Sequence, residues 1–265
     1  MKKDVAAVDQ SISILGVDIV ICTFLQAVEM LERAVDDRKR WIVFFVNAHT
    51  INLAYEDPDY RAILNTADLV LEDGFGTALA GRILGQHLDN IGGGTEIIPY
   101  LFQRAQSRGY RFYLLGGNPG VAQRAAVNLL RKYPGLHIVG TRHGYFEDEE
   151  NPRLIAEINR ASPDVLLVGM GNPLQEQWLS QNQDRLHVPL SLGVGGLFDI
   201  FSGDLKKIPR WLWRIIHMEW MFIALVQPHK WRRYFVGAPT FLVRVIRQRF
   251  AVPDSIFDDS EPKPA

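Results

Sequence analysis

A chain of 265 residues, 47% hydrophobic and 22% charged, has ordinary globular composition and room for one large α/β domain with an appendage, which excludes wholesale disorder. Its single cysteine, Cys22, excludes an intrachain disulfide and suits a reducing compartment. A net charge of −1 names no partner for the chain as a whole, but ten Lys/Arg and only one acid, Glu219, fall between Lys206 and Arg249.

An acidic body followed by a strongly basic segment directs that segment to an anionic surface. The residues from Met1 to Gln10 lack the apolar core of a signal peptide. No charge-free apolar run approaches the ~18–20 residues that span a bilayer; the nearest is Trp220–Val226. The expected location is cytoplasmic, peripheral on the inner face of the membrane.

In chain order, helical periodicity over Phe24–Lys39 leads into a buried-strand run, Trp41–Val46, and then a second strand, Asp68–Leu71. Thr95–Arg108 reads as a helix, Arg111–Leu115 as a strand and Val121–Lys132 as a helix, with His137–Val139 a weaker strand. Pro152–Ala161 and Leu174–Asp184 carry helical spacing, and the strands Asp164–Val168 and Leu190–Val194 follow them. This alternation predicts a mainly parallel sheet with helices on both faces. After Gly203 the character changes. Pro209 to Arg214 opens a Trp- and Arg-rich helix, Pro239–Phe250 reads as another amphipathic one, and Trp211, Trp213, Trp220 and Trp231 lie in or between them. The expected division is a core over 1–204, a membrane-associating helical appendage over 205–250 and an acidic, disordered tail over 251–265.

Several strands end in small or polar residues: Asn47-Ala48-His49, Asp73-Gly74, Gly116-Gly117-Asn118, Gly169 through Pro173, and Gly193 through Gly196. In a parallel sheet all these turns share the carboxyl edge, where such folds bind ligands. Any one turn is explained by tight βα connection alone; the five together point to a nucleotide site. Asn118-Pro119 and Asn172-Pro173 are expected to start helices with an Asn cap and Pro in first position, offering N–H groups to phosphate.

Asp73 stands where a general base or a hydroxyl-binding carboxylate would stand, although Asp before Gly also initiates turns. Gln175 and Glu176 follow a Gly-Asn-Pro turn, Gln175 as an exposed first-turn residue and Glu176 where the helix dipole alone would favour it. Asp57-Pro58-Asp59 has the form of an Asp-x-Asp metal motif but sits at a loop-to-helix junction that N-capping explains better. The histidines His49, His137, His143 and His187 show no ligand spacing. Neither a metal nor a cofactor is expected.

The ordered set Asn47, Ala67 through Gly74, Gly93-Gly94-Thr95, Leu114 through Gly117, Val139-Gly140 and Gly144-Tyr145-Phe146 resembles the WecG/TagA/CpsF glycosyltransferases. The resemblance continues through Gly169 to Glu176, Gly193 to Asp199, Ile208-Pro209, Glu219-Trp220 and Pro228 to Tyr234, so it covers nearly the whole chain. It implies a Rossmann-like core, a C-terminal appendage that helps reach the membrane, and metal-independent, inverting transfer from UDP-sugars to undecaprenyl-diphosphate-linked acceptors in cell-surface polymer assembly. By resemblance Asp73 matches the family's candidate base and Gln175 its sugar-contacting glutamine, while Lys230 and Arg233 match cationic residues that close over the diphosphate. The substrate-binding set implied is Asn47, Thr95, Gly171, Asn172, Gln175, Glu176, Gly195, Asp199, Lys230 and Arg233.

Departures bear on the donor. Phe45 replaces a Thr, Ile223 replaces an Arg, Lys207-Ile208-Pro209 replaces Arg-Ala-Pro, and Leu174 replaces the Lys of Pro-Lys-Gln-Glu. Glucosyl and galactosyl transfer therefore stand beside N-acetylmannosaminyl transfer. Two other readings compete. One is a nicotinamide-dependent oxidoreductase, against which no strand is followed by Gly-x-Gly-x-x-Gly with an acid about 20 residues on. The other is a non-catalytic membrane-surface module. The interfacial pattern of the tryptophans disfavours nucleic acid as the partner of the basic segment; a homo-oligomer is allowed. Each basic side chain near an anionic bilayer contributes about 1 kcal/mol. The chain is thus expected to co-sediment with anionic but not neutral liposomes, and to be released as salt is raised.

Overall fold

The computed structural model of the chain describes residues 10–89, 91–205 and 233–250. The Trp-rich helix expected from Pro209, Lys230, the side chain of Arg233 and the tail 251–265 lie outside the described residues.

The described residues open with an antiparallel hairpin, β1 (Ser11–Ile14) and β2 (Val17–Val20). Then come α1 (Phe24–Asp36), β3 (Trp41–Val46), α2 (Ala48–Glu56), α3 (Pro58–Thr66), β4 (Leu69–Glu72) and α4 (Phe75–Ile83). The middle runs α5 (Gly93–Arg108), β5 (Arg111–Gly116), α6 (Val121–Lys132), β6 (His137–Arg142) and α7 (Asn151–Ala161). It ends with β7 (Val165–Gly169), α8 (Leu174–Asn182), β8 (Leu190–Gly193), α9 (Leu197–Ser202) and, after a π-helical turn, α10 (Ala238–Phe250). Strands β3 to β8 form one parallel sheet in the order β4-β3-β8-β7-β5-β6, the Rossmann-like α/β arrangement expected.

Every residue of β3, β7 and β8 is buried, because helices cover both faces. This is why these strands read as unbroken apolar runs and not as alternating ones. One face holds α1, α5, α6 and α9 through residues such as Leu31, Leu101, Leu129 and Phe198. The other holds the hairpin, α2, α3, α4, α7, α8 and α10 through Ile14, Ile51, Tyr60, Ala78, Ile155, Leu179 and Phe241. Helix α1 starts at a capping box in which Thr23 Oγ1 accepts from Gln26 N–H while Gln26 Oε1 accepts from Thr23 N–H. Asp57 accepts from the N–H groups of Asp59 and Tyr60, each at 3.0 Å, and so caps α3, which is the role expected of it.

The two Asn-Pro starts differ from expectation. Helix α6 begins at Val121 behind Gly120, whose φ is +89°, and α8 begins behind Pro173; neither receives a side-chain cap. At Asn118 the backbone carbonyl, not the side chain, accepts the N–H of Val121. At Asn172 the side-chain amide is engaged elsewhere in the site, and its peptide bond to Pro173 is cis.

Helix α10 is joined to the core. Phe241 and Val245 are buried, and Arg244 donates to Asn52 Oδ1 (3.0 Å) and Glu56 Oε1 (2.7 Å) while lying over the Tyr55 ring. Gln248 accepts the N–H of Leu15 and donates to the carbonyl of Ser13, each at 2.8 Å, tying α10 to the hairpin. No helix among the described residues is long and apolar enough to cross a membrane. Removing the fully buried Phe241 ring should therefore destabilise the whole fold. Phe241→Ala is expected to cost about 3–5 kcal/mol in chemical denaturation, whereas a loosely attached helix would leave the midpoint unmoved.

Candidate active site at the carboxyl edge of the sheet

Strands β3 and β8 pair directly, Trp41 against Leu190 through Phe44 against Gly193. The chain leaves β3 for α2 on one face of the sheet and leaves β8 for α9 on the opposite face. Neighbouring parallel strands whose connections diverge in this way leave a crevice at their carboxyl ends, the usual ligand position in open α/β sheets. Each helix that follows a strand runs back along the sheet, so the starts of α2, α8 and α9 share this edge, where helix N–H groups suit an anion.

Asn47 leads out of β3. Its Oδ1 accepts the N–H groups of His49 (3.1 Å) and Thr50 (3.2 Å), which caps α2 and fixes the side chain. Its Nδ2 donates to Asp73 Oδ2 at 3.4 Å. Asp73 is half-buried just past β4, its own N–H donating to Val46 O at 2.8 Å, so the end of β4 is locked to the end of β3. The Asp73 carboxylate lies on Gly93 at the start of α5. A Cβ there would fall 1.8 Å from Asp73 Oδ1, and the φ of +54° independently favours glycine. Thr95 is exposed in the same first turn and donates to Gly92 O at 3.0 Å. The ring of buried Phe45, the residue standing for the expected Thr, lies under Gly94.

Gln175 was expected to be exposed and is only 2% so. Its Oε1 accepts the N–H of Gly195 at 2.8 Å, and its Nε2 donates to Glu176 Oε1 at 2.7 Å. The side chain thus runs across the end of β8 instead of out to solvent. Gly193 leaves room for it, since a Cβ there would lie 3.0 Å from Gln175 Nε2. Glu176 is more than a dipole partner: it is buried, and its Oε1 also accepts from Asn172 Nδ2 at 2.6 Å. Burial raises its pKa above the ordinary carboxylate value, and hydrogen bonds from Gln175, Tyr60 and Asn172 oppose that rise. Gly171 and Gly195 both have positive φ, and Asp199 sits half-buried in the first turn of α9.

The expected residues therefore fall into two groups flanking the β3–β8 crevice: Asn47, Asp73 and Thr95 on one side, and Gly171, Asn172, Gln175, Glu176, Gly195 and Asp199 on the other. An open groove of about 620 Å³ lies beside the first group, lined by Thr23, Phe24, Asp89, Ile91, Gly92 and Glu96 among others. Sequence reasoning passed over Glu72, the last residue of β4 and 2% exposed. A charged residue closing the apolar run Leu69-Val70-Leu71 was the available signal. Its pKa is pushed up to about 7, first by burial and then by Asp73 and Asp89, against the pull of the Ile91 N–H. The neighbouring Cys22 thiol is pushed up to about 12, mainly by burial.

A family model described as "Glycosyl transferase WecG/TagA/CpsF family" matches residues 12–254. The chain belongs to this family. It is a glycosyltransferase, and membership decides against a nicotinamide-dependent oxidoreductase; the Gly92-Gly93-Gly94 run indeed opens α5 from a loop and follows no strand. Among its relatives, a Bacillus spizizenii protein named N-acetylglucosaminyldiphosphoundecaprenol N-acetyl-beta-D-mannosaminyltransferase is 29% identical over 75% of this chain and 76% of its own. Proteins of the same name from Bacillus subtilis and Staphylococcus aureus are each 28% identical. The alignments cover 83% and 90% of this chain and 85% and 93% of theirs. Within this WecG/TagA/CpsF chain the burial of Gln175 changes what its removal does. Gln175→Ala strips a partner from the Gly195 N–H and from Glu176, so denaturation should show a loss of about 1–3 kcal/mol, together with a higher KM for the donor. An unchanged KM would make Gln175 purely structural.

Proposed function

We propose that this glycosyltransferase moves a hexosyl or N-acetylhexosaminyl unit from a UDP-sugar to an undecaprenyl-diphosphate-linked saccharide. It does so with inversion, in the assembly of a cell-surface polysaccharide or teichoic-acid-type polymer. The observation that carries the reading is the Asn47–Asp73 pair at the rim of the β3–β8 crevice, a carboxylate held by an amide that is itself held by a helix start. The names of the relatives, which specify a diphosphoundecaprenol-linked acceptor, support the acceptor class.

In the proposed reaction the acceptor hydroxyl gives its proton to Asp73 as its oxygen attacks the anomeric carbon. The bond from that carbon to the diphosphate oxygen breaks on the opposite side, which inverts the centre, and UDP departs. Negative charge then grows on the diphosphate, where N–H groups at the helix starts and the cationic Lys230 and Arg233 would hold it. Thr95 and Asn172, with Gln175, Glu176, Gly171, Gly195 and Asp199, form the binding set. Gln175 keeps an amide hydrogen beyond the one donated to Glu176, which suits it to a sugar hydroxyl. Phe45 presents a ring where a hydroxyl-bearing side chain is usual, so the sugar is left as the broader class. The basic segment 206–249 would hold the enzyme on the anionic inner surface where such an acceptor resides.

The test combines membranes with a panel of radiolabelled UDP-sugars, scored for transfer into the lipid fraction. Asp73→Asn keeps the shape but cannot take the proton, so transfer should fall by about 10²–10⁴-fold while UDP binding by calorimetry persists. A variant holding more than about a tenth of the wild-type rate would remove Asp73 from this role.

A further inference from the structure

We propose that Glu72 is a positioning residue that fixes Asp73 by holding the start of α5 beneath it, a role that rests on Asp73 being the base. Glu72 Oε1 accepts the N–H of Ile91 at 2.6 Å, and Ile91 is itself buried. From Ile91 the chain turns through Gly92 and Gly93, both at positive φ, into α5, and Gly93 is the residue on which the Asp73 carboxylate rests. Consecutive residues of one strand end therefore grip the two ends of one short turn, Glu72 by a hydrogen bond and Asp73 by direct contact. The same end of β4 is also tied to β3, since Asp73 N–H is bonded to Val46 O. Loosening the Ile91 bond frees the glycine turn, and with it the surface that sets where the Asp73 carboxylate lies.

A carboxylate is a costly way to hold one amide unless its charge matters. Glu72 Oε2 has no hydrogen-bond partner, and the ionisable groups acting on Glu72 are the acids Asp73 and Asp89, with the Cys22 thiol nearby and His87 paired to Asp89 at 3.2 Å. When Glu72 ionises, its bond to Ile91 becomes charge-assisted, and a second negative charge beside Asp73 strengthens Asp73 as a proton acceptor. Both effects act in one direction: transfer should rise as pH passes through the neutral range.

The sign for stability is opposite. The Glu72 carboxyl ionises at about 7 in the fold against 4.5 for the free side chain. The folded state keeps its proton longer, so wild type should lose stability relative to Glu72→Gln between those two pH values and no further above them.

Two variants in the full chain test this. Glu72→Leu, which loses the acceptor, should lower kcat roughly 10- to 100-fold with little change in donor KM. Glu72→Gln, which can still accept from Ile91, should recover most of that loss but lack the rise in rate through neutral pH. In NMR spectra the Ile91 amide should titrate near neutral pH in wild type and stay still in Glu72→Gln, an outcome that needs neither activity nor a folded Leu variant. An Ile91 amide indifferent to pH, or a Gln variant with the wild-type pH profile, overturns the proposal. An active Asp73→Asn variant instead sinks the base assignment and leaves the Ile91 titration to be read on its own.

Discussion

The candidate site depends on the pairing of β3 with β8. These strands are far apart in sequence, yet Val43 sits opposite Leu192 and Phe44 opposite Gly193. Because one sends its connection to each face, neither following helix covers the gap between their ends, and a crevice is left there. The pairing itself is driven by burial: every residue of both strands is buried, and apolar surface removed from water contributes about 25 cal/mol per Å². The force that closes the core is thus also the one that leaves the crevice open.

Around that crevice the chain relies on missing side chains. Gly93 admits the Asp73 carboxylate, Gly193 admits Gln175, and Gly169 admits the carbonyl of Gly195, which a Cβ would approach to 2.7 Å. Such contacts hold polar groups by direct steric confinement, with the hydrogen bond that Asp73 accepts from Asn47 and the one that Gln175 donates to Glu176 setting their direction. The result is a rim in which the named carboxylate and amide each have one orientation fixed before any substrate arrives, the condition under which positioning lowers a barrier most.

Much of the frame was legible in the sequence because it is written locally. Trp41–Val46 and Val121–Lys132 were read to the residue, one as an unbroken apolar run and the other from its 3.6-residue period. The hairpin, α2, α4 and α9 were not read, and α3 only through its cap: the hairpin strands mix Ser and Asp into four residues, unlike the apolar run of β4, and the helices are too short to show a period without a flanking signal. The strand-end turns do lie together at one edge of the parallel sheet, and Asp57 does cap a helix. What escaped depends on contacts between remote segments. The depth of Gln175 follows from Gly195, and the significance of Glu72 follows from Ile91; neither neighbour can be inferred from the residues beside it in sequence.

The bonds from Gln248 to Leu15 and Ser13 join residues 233 and 235 positions apart. A chain leaves the ribosome amino end first, at about 5–20 residues each second. The hairpin therefore emerges well before α10 and must wait while the 233 to 235 positions that separate it from Gln248 are made. Until then the hairpin backbone groups that Gln248 satisfies are open to other partners, and the apolar surfaces that receive Phe241 and Val245 are uncovered. A nascent chain stalled before α10 consequently presents quality-control machinery with an incomplete core.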